Sequence, residues 1–74
     1  MKSIKRLTPA DTVFFECDIQ ERLTKHIFRF NTMAHNAARL AKVSKILDIP
    51  VIATAQVNFG KISPVITKDH HDGV

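Results

Sequence analysis

The stretch "TVFFECDIQER", residues 12–22, decides how this chain folds. Its first eight residues, Thr12 to Ile19, are dense in β-branched and aromatic side chains and follow the turn-like "TPAD", so they read as a short strand. Strand side chains alternate, which sets Val13, Phe15, Cys17 and Ile19 on one face and Phe14, Glu16 and Asp18 on the other. Large apolar groups on both faces predict an interior strand covered on each side, the habit of parallel sheets. Glu16 breaks that pattern, and nothing in the sequence supplies its partner. The run then ends in Asp18, Gln20 and Glu21, which poses a question of role. Asp18 is either a strand terminator on a wet surface or a carboxylate held for chemistry.

Working outward, residues 32–47 carry helical spacing. Met33, Ala37, Leu40, Ser44 and Leu47 form one stripe, widened by Ala34, Ala38 and Ala41, whose small side chains let a helix sit close to a sheet. Asn31 is the expected N-cap. His35, Arg39 and Lys42 lie on another face and read as solvated. Pro50 closes the helix by disfavouring α geometry at Ile49. "IPVIATAQV", residues 49–57, is the second strand. Strand, helix and strand make a βαβ unit with parallel strands and a right-handed crossover. The junction "QERLTKHIFRFN", residues 20–31, exceeds the usual two to six residues and lies at the strand edge where ligands sit. Residues 58–74 have turn residues at Gly60 and Pro64 but predict no further element. The chain divides into an N-terminal segment (1–11), a βαβ body (12–66) and a tail (67–74).

With 74 residues the chain is at most one small domain, and two strands with one helix leave both sheet edges open and one face bare. The expectation is the opening of a larger α/β domain, truncated here, or a chain that needs a partner to finish its sheet, either itself as a homo-oligomer or a relative. No apolar run approaches the roughly 20 residues of a membrane span, so no membrane is expected. The single cysteine, Cys17, excludes an internal disulfide and fits a reducing compartment. Net charge is +4 and the pI about 9.7, but the basic residues are scattered among acids, and no tryptophan or tyrosine is present to stack on bases. These features argue against a nucleic-acid surface. "MKSIKRL", residues 1–7, lacks an apolar core for secretion and is short and serine-poor for an organellar leader. The cytosol is expected, with mitochondria as the alternative.

Asp18 and Gln20 end strand 1, and Thr54 and Gln56 occupy the equivalent end of strand 2. In a parallel pair these groups converge on one crevice, the usual place for a site in open α/β sheets. Position alone leaves site and polar strand end equally open. Cys17 faces away from Asp18 within the apolar run and reads as a core residue. "KDHHDG", residues 68–73, shows no recognisable zinc spacing and reads as an unpacked tail, while His26 and His35 carry no motif. Gly-rich phosphate loops and G-x-S-x-G elbows are absent, and no cofactor is expected.

The ordered set "TVFFECDIQERL" and "FNTMAHNAARLAKVSKILDIPVIATAQVNFGKISPVI" resembles the isochorismatase-like cysteine hydrolase superfamily, and within it the isochorismatase domain-containing proteins. The resemblance spans residues 8–66. It rests on an aspartate, a hydrophobic residue and a glutamine ending the first strand (Asp18, Ile19, Gln20), and on a hydrophobic–Pro–Val segment leading to Thr-x-Gln (Thr54, Ala55, Gln56). A loop with Gly60 and Pro64 follows. The resemblance implies a three-layer α/β/α fold with a mostly parallel sheet, and hydrolysis of C–N or related bonds in a small-molecule substrate by an Asp, Lys and Cys triad. Asp18 would take the thiol proton, with Gln20, Thr54 and Gln56 as substrate-pocket candidates. The family's lysine and nucleophilic cysteine lie on later elements; Cys17, Lys61 and Lys68 do not match them. The nicotinamidase branch's metal-binding Asp-x-His has no counterpart in "AQVNFG", residues 55–60, so no metal is expected. The chain is therefore expected to be the N-terminal part of such a hydrolase and inactive alone. The alternatives are an interaction fragment pairing through its open sheet edge and a small basic nucleic-acid binder.

Overall fold

A computed structural model describes residues 6–71, 73 and 74, and the predicted strand–helix–strand unit forms their body. The readings that fall on residues 1–5 and on Asp72 lie outside the described residues. β1 spans Phe14–Cys17, α1 Phe30–Leu47, β2 Val51–Thr54 and α2 Pro64–Thr67, with single 3-10 turns at Pro9–Asp11, Glu21–Leu23 and Val57–Phe59. β1 and β2 pair in parallel, Phe14 opposite Val51 through Cys17 opposite Thr54. The class is α/β with a parallel sheet, as predicted. No helix among the described residues is long and apolar enough to cross a membrane.

Both strands are four residues long, shorter than expected. β1 stops because Asp18 turns into the left-handed region (φ 53), which no extended strand can continue. Two residues later the chain pairs again. Glu21 N–H donates to Lys61 O (3.0 Å) and Ser63 N–H to Ile19 O (2.9 Å), an antiparallel bridge that ties the loop after β1 to the loop after β2.

Helix α1 begins two residues earlier than the spacing predicts. Asn31 is therefore inside the first turn, and the chain enters through Arg29 in a left-handed conformation without a side-chain cap. The buried line is Phe30, Ala34, Ala38, Ala41 and Ser44. Relative to the predicted stripe the helix is rotated towards its alanines, leaving Leu40 54% exposed. Close approach explains the choice, because an alanine line lets the helix axis come nearer to its neighbours than a leucine line would. Ser44 stays dry because its hydroxyl donates to Ala41 O at 2.6 Å. At the far end Asp48 is left-handed, and both its N–H and that of Ile49 reach back to Ser44 O.

The core lies on one side of the sheet, where Phe30, the α1 alanines, Ile49, Val51 and Ile66 meet. Ile66 belongs to α2, a single turn that the sequence reading missed because four residues carry no period. Pro64 opens it and Ser63 Oγ accepts from Val65 N–H (3.3 Å). The other side of the sheet is bare. Phe15 is 63% exposed, Val13 and Ile52 are about half exposed, and Cys17 is exposed rather than part of the core. Glu16 points to the covered side and is buried, and the residue that completes it is His70, whose Nε2 lies in hydrogen-bond contact with Glu16 Oε2 at 2.8 Å. The tail thus packs where an unpacked end is predicted.

Candidate functional site

Parallel pairing brings the C-terminal ends of β1 and β2 side by side, and three of the four predicted site residues meet there. Asp18 N–H donates to Thr54 O (3.2 Å) and lies 3.2 Å from Thr54 Oγ1, which seats the left-handed turn against β2. The Thr54 hydroxyl donates to Asp18 Oδ1 at 2.9 Å; the other acceptor in reach, Glu16 O, is farther at 3.5 Å. Gln56 Nε2 donates to Asp18 Oδ2 at 2.8 Å. Each carboxylate oxygen therefore receives one neutral donor and keeps a lone pair for something else. The carboxylate is half-buried and held in orientation by these two donors. Such a group can accept a proton or a substrate hydrogen bond.

The left-handed backbone at Asp18 is what allows this. In a continued strand its side chain would point with Glu16 into the helical side, whereas the turn frees its direction from the pleat and lets Thr54 and Gln56 set it.

Gln20, the fourth candidate, does not reach the crevice. It is 0% exposed, and its side chain is saturated by backbone. Nε2 donates to Gln56 O (2.8 Å) and Gly60 O (2.7 Å), while Oε1 accepts from Gln56 N–H (2.8 Å). The substrate-pocket reading of Gln20 gives way to a brace on the loop after β2. That loop turns at Gly60, whose φ of 77 and ψ of −167 suit only glycine. Arg22 covers the turn, its Nη1 donating to Asn58 O at 3.3 Å.

Among the described residues no ion pair reaches Asp18, so neither Lys61 nor Lys68 supplies it with a cation. Nor do the described residues hold three or more His, Cys, Asp or Glu side chains grouped to bind a metal. Lys42, Lys45 and Lys68 do gather beside Asp69 and His70 around an open cleft of about 310 Å³ on the helical side. Lys42 Nζ stands 4.0 Å from Asp69 Oδ1. This is a denser group of positive charge than the scattered sequence pattern suggests, and none of its lining residues belongs to the strand ends.

No family model matches the chain. Individual proteins do. The isochorismatase domain-containing protein 2 of Rattus norvegicus is 35% identical over 72 residues, 97% of this chain and 34% of that protein. The isochorismatase family protein 1A of Dictyostelium discoideum is 38% identical over 56 residues, 76% of this chain and 27% of that one. The Danio rerio isochorismatase domain-containing protein 2 is 36% identical over 74 residues, 100% of this chain and 37% of its own length. The chain thus spans about a third of the length of the curated relatives it matches. Among solved structures, the MAR1 ribonuclease from Caenorhabditis elegans superposes with a TM-score of 0.88 at 28% identity, covering 92% of this chain and 36% of that one.

Proposed function

Because the chain belongs to the isochorismatase-like family, matching about a third of its curated members' length, we propose that it supplies the aspartate of an Asp–Lys–Cys hydrolase acting on a C–N or related bond of a small molecule. The observation that carries this reading is the half-buried Asp18 carboxylate, held by Thr54 and Gln56 at the strand-end crevice. In the reaction Asp18 accepts the proton of the attacking thiol. A cysteine and a lysine from further elements supply the nucleophile and the positive charge that lowers its pKa. Cys17 does not match the family's nucleophile, which lies on a later element, and it makes no hydrogen bond to Asp18 among the described residues.

On this reading the 74 residues alone do not turn over substrate. Completing the fold with the remaining two-thirds of a relative restores thiol-dependent hydrolysis. Asp18→Asn in the completed protein then lowers kcat by about 10²–10⁴-fold, the range of a lost general base. The variant preserves side-chain shape and tolerance of the left-handed backbone. Steady-state kinetics on a panel of amides and imides, with RNA added because the worm neighbour is called a ribonuclease, makes the test. Robust turnover by the 74-residue chain that Asp18→Asn abolishes would overturn the claim that it is one part of the catalytic unit. An undiminished kcat in the completed Asp18→Asn protein would remove Asp18 from the chemistry.

A second reading has its own support in the bare sheet face around Phe15 and in outer edges of the sheet that no other strand pairs among the described residues. Both suit pairing with a second copy or with a full-length relative.

A further inference from the structure

We infer that Gln20 is a positioning residue that places the Gln56 side chain on Asp18; the inference rests on Asp18 being the working carboxylate. Gln56 lies two residues beyond the end of β2, where the strand ladder no longer holds the backbone. Its own N–H and C=O both bond one group, the Gln20 carboxamide, at 2.8 Å each, and the C=O takes a longer second bond from Phe59 N–H at 3.3 Å. The side chain of Gln20 thus stands in for a missing strand, offering a donor and an acceptor to one residue as a ladder partner would. Its second N–H fixes Gly60 O at 2.7 Å, so both ends of the 56–60 loop hang on the same amide.

The orientation of that amide is not open to exchange. Nε2 faces two carbonyl oxygens and Oε1 faces an N–H; flipping it would set oxygen against oxygen twice and hydrogen against hydrogen once. Burial at 0% exposure denies water as a substitute for any of the three. The Gln56 side chain has no such cage. It is exposed, and among the described residues it bonds to Asp18 Oδ2 alone. What keeps it there is the fixed position of its own Cα, set by Gln20. Without the brace the Gln56 amide departs and Asp18 Oδ2 loses its donor, while the Thr54 contact to Oδ1 stays.

A buried brace with only a structural role would lower stability when removed and do nothing further. Positioning makes a sharper statement, that the Gln20 and Gln56 side chains are coupled although no hydrogen bond joins them. The test is proton–nitrogen NMR of the two side-chain carboxamides in the 74-residue chain. In Gln20→Met, which matches volume and removes all three bonds, the Gln56 carboxamide is expected to move to the shift of a free glutamine and to exchange about tenfold faster, roughly the factor one hydrogen bond to a charged group supports. A folded Gln20→Met chain in which the Gln56 signals do not move overturns the inference.

The converse variant, Gln56→Ala, keeps the backbone that Gln20 grips and covers the case in which Gln20→Met does not fold. Its Gln20 carboxamide is expected to stay as protected as in the parent chain. A similar tenfold loss of that protection would mean that the Asp18 contact anchors the loop and Gln20 follows, which also overturns it. Neither readout uses turnover. A chain that behaves as described yet belongs to no hydrolase would lose the reaction and keep the positioning.

Discussion

At Asp18 and Gly60 the backbone leaves the ordinary regions, and the two departures are built differently. Asp18 holds φ 53 with a Cβ present, a conformation costing of order 1–3 kcal/mol that aspartate tolerates better than most residues. The bonds from Thr54 and Gln56 offset part of that cost and are available only in the turned conformation. Gly60 holds φ 77 without a Cβ, and an added one would come within 3.3 Å of Arg22 Cγ. That side chain can move; the backbone cannot. Gly60→Ala is therefore expected to destabilise the chain by about 1–3 kcal/mol, chiefly through backbone strain, as a lower urea midpoint at unchanged m-value. An unchanged midpoint would mean that the loop relaxes without cost. The meeting of Asp18, Thr54 and Gln56 was legible because parallel pairing sets strand ends side by side whatever the side chains do. The burial of Gln20 was not. It follows from the left-handed turn two residues earlier, and an aspartate before an isoleucine gives no sign of such a turn.

Helix α1 shows the same limit at the next scale. Its existence and its stop are written in the alanine spacing and in Pro50, yet its rotation is not, since a stripe containing Leu40 and Leu47 scores as well as the one built on Ala34, Ala38 and Ala41. Only packing against the sheet and Ile66 decides between them. The helix also ends on an uncomfortable residue. Asp48 is left-handed at φ 56 and places a carboxylate where the helix already presents its negative end. Asp48→Gly removes the Cβ penalty and the charge together. It is expected to raise stability by about 0.5–1 kcal/mol, read as an increase in thermal midpoint. A lower midpoint would show that the carboxylate contributes something that the helix-end argument omits.

At the scale of the molecule the decisive feature is that the described residues form a two-stranded sheet covered on one side. Counting elements was enough to foresee an uncovered face, although β1 alone suggested the reverse. Small chains seldom reach comfortable stability from one core, and this one leaves Phe15, Val13 and Ile52 in water. Self-association that grows with concentration is the expected behaviour in sedimentation velocity, and Phe15→Lys on the bare face is expected to shift the chain towards monomer. A parent chain that stays monomeric across the accessible range, with no effect of Phe15→Lys, would rule this surface out as an interface.

The tie between Glu16 and His70 also has a consequence for how the chain is made. The two residues lie 54 positions apart, so the buried carboxylate of the first strand meets its partner only after nearly all of the intervening chain exists. Contacts of such separation close late, after the cost of the loop between them has been met by others. Until His70 docks, the Glu16 carboxylate has to remain hydrated, which opposes sealing β1 under the helical layer. The first of the two strands is thereby closed by a residue 54 positions on, so loosening the segment that carries His70 is felt at β1.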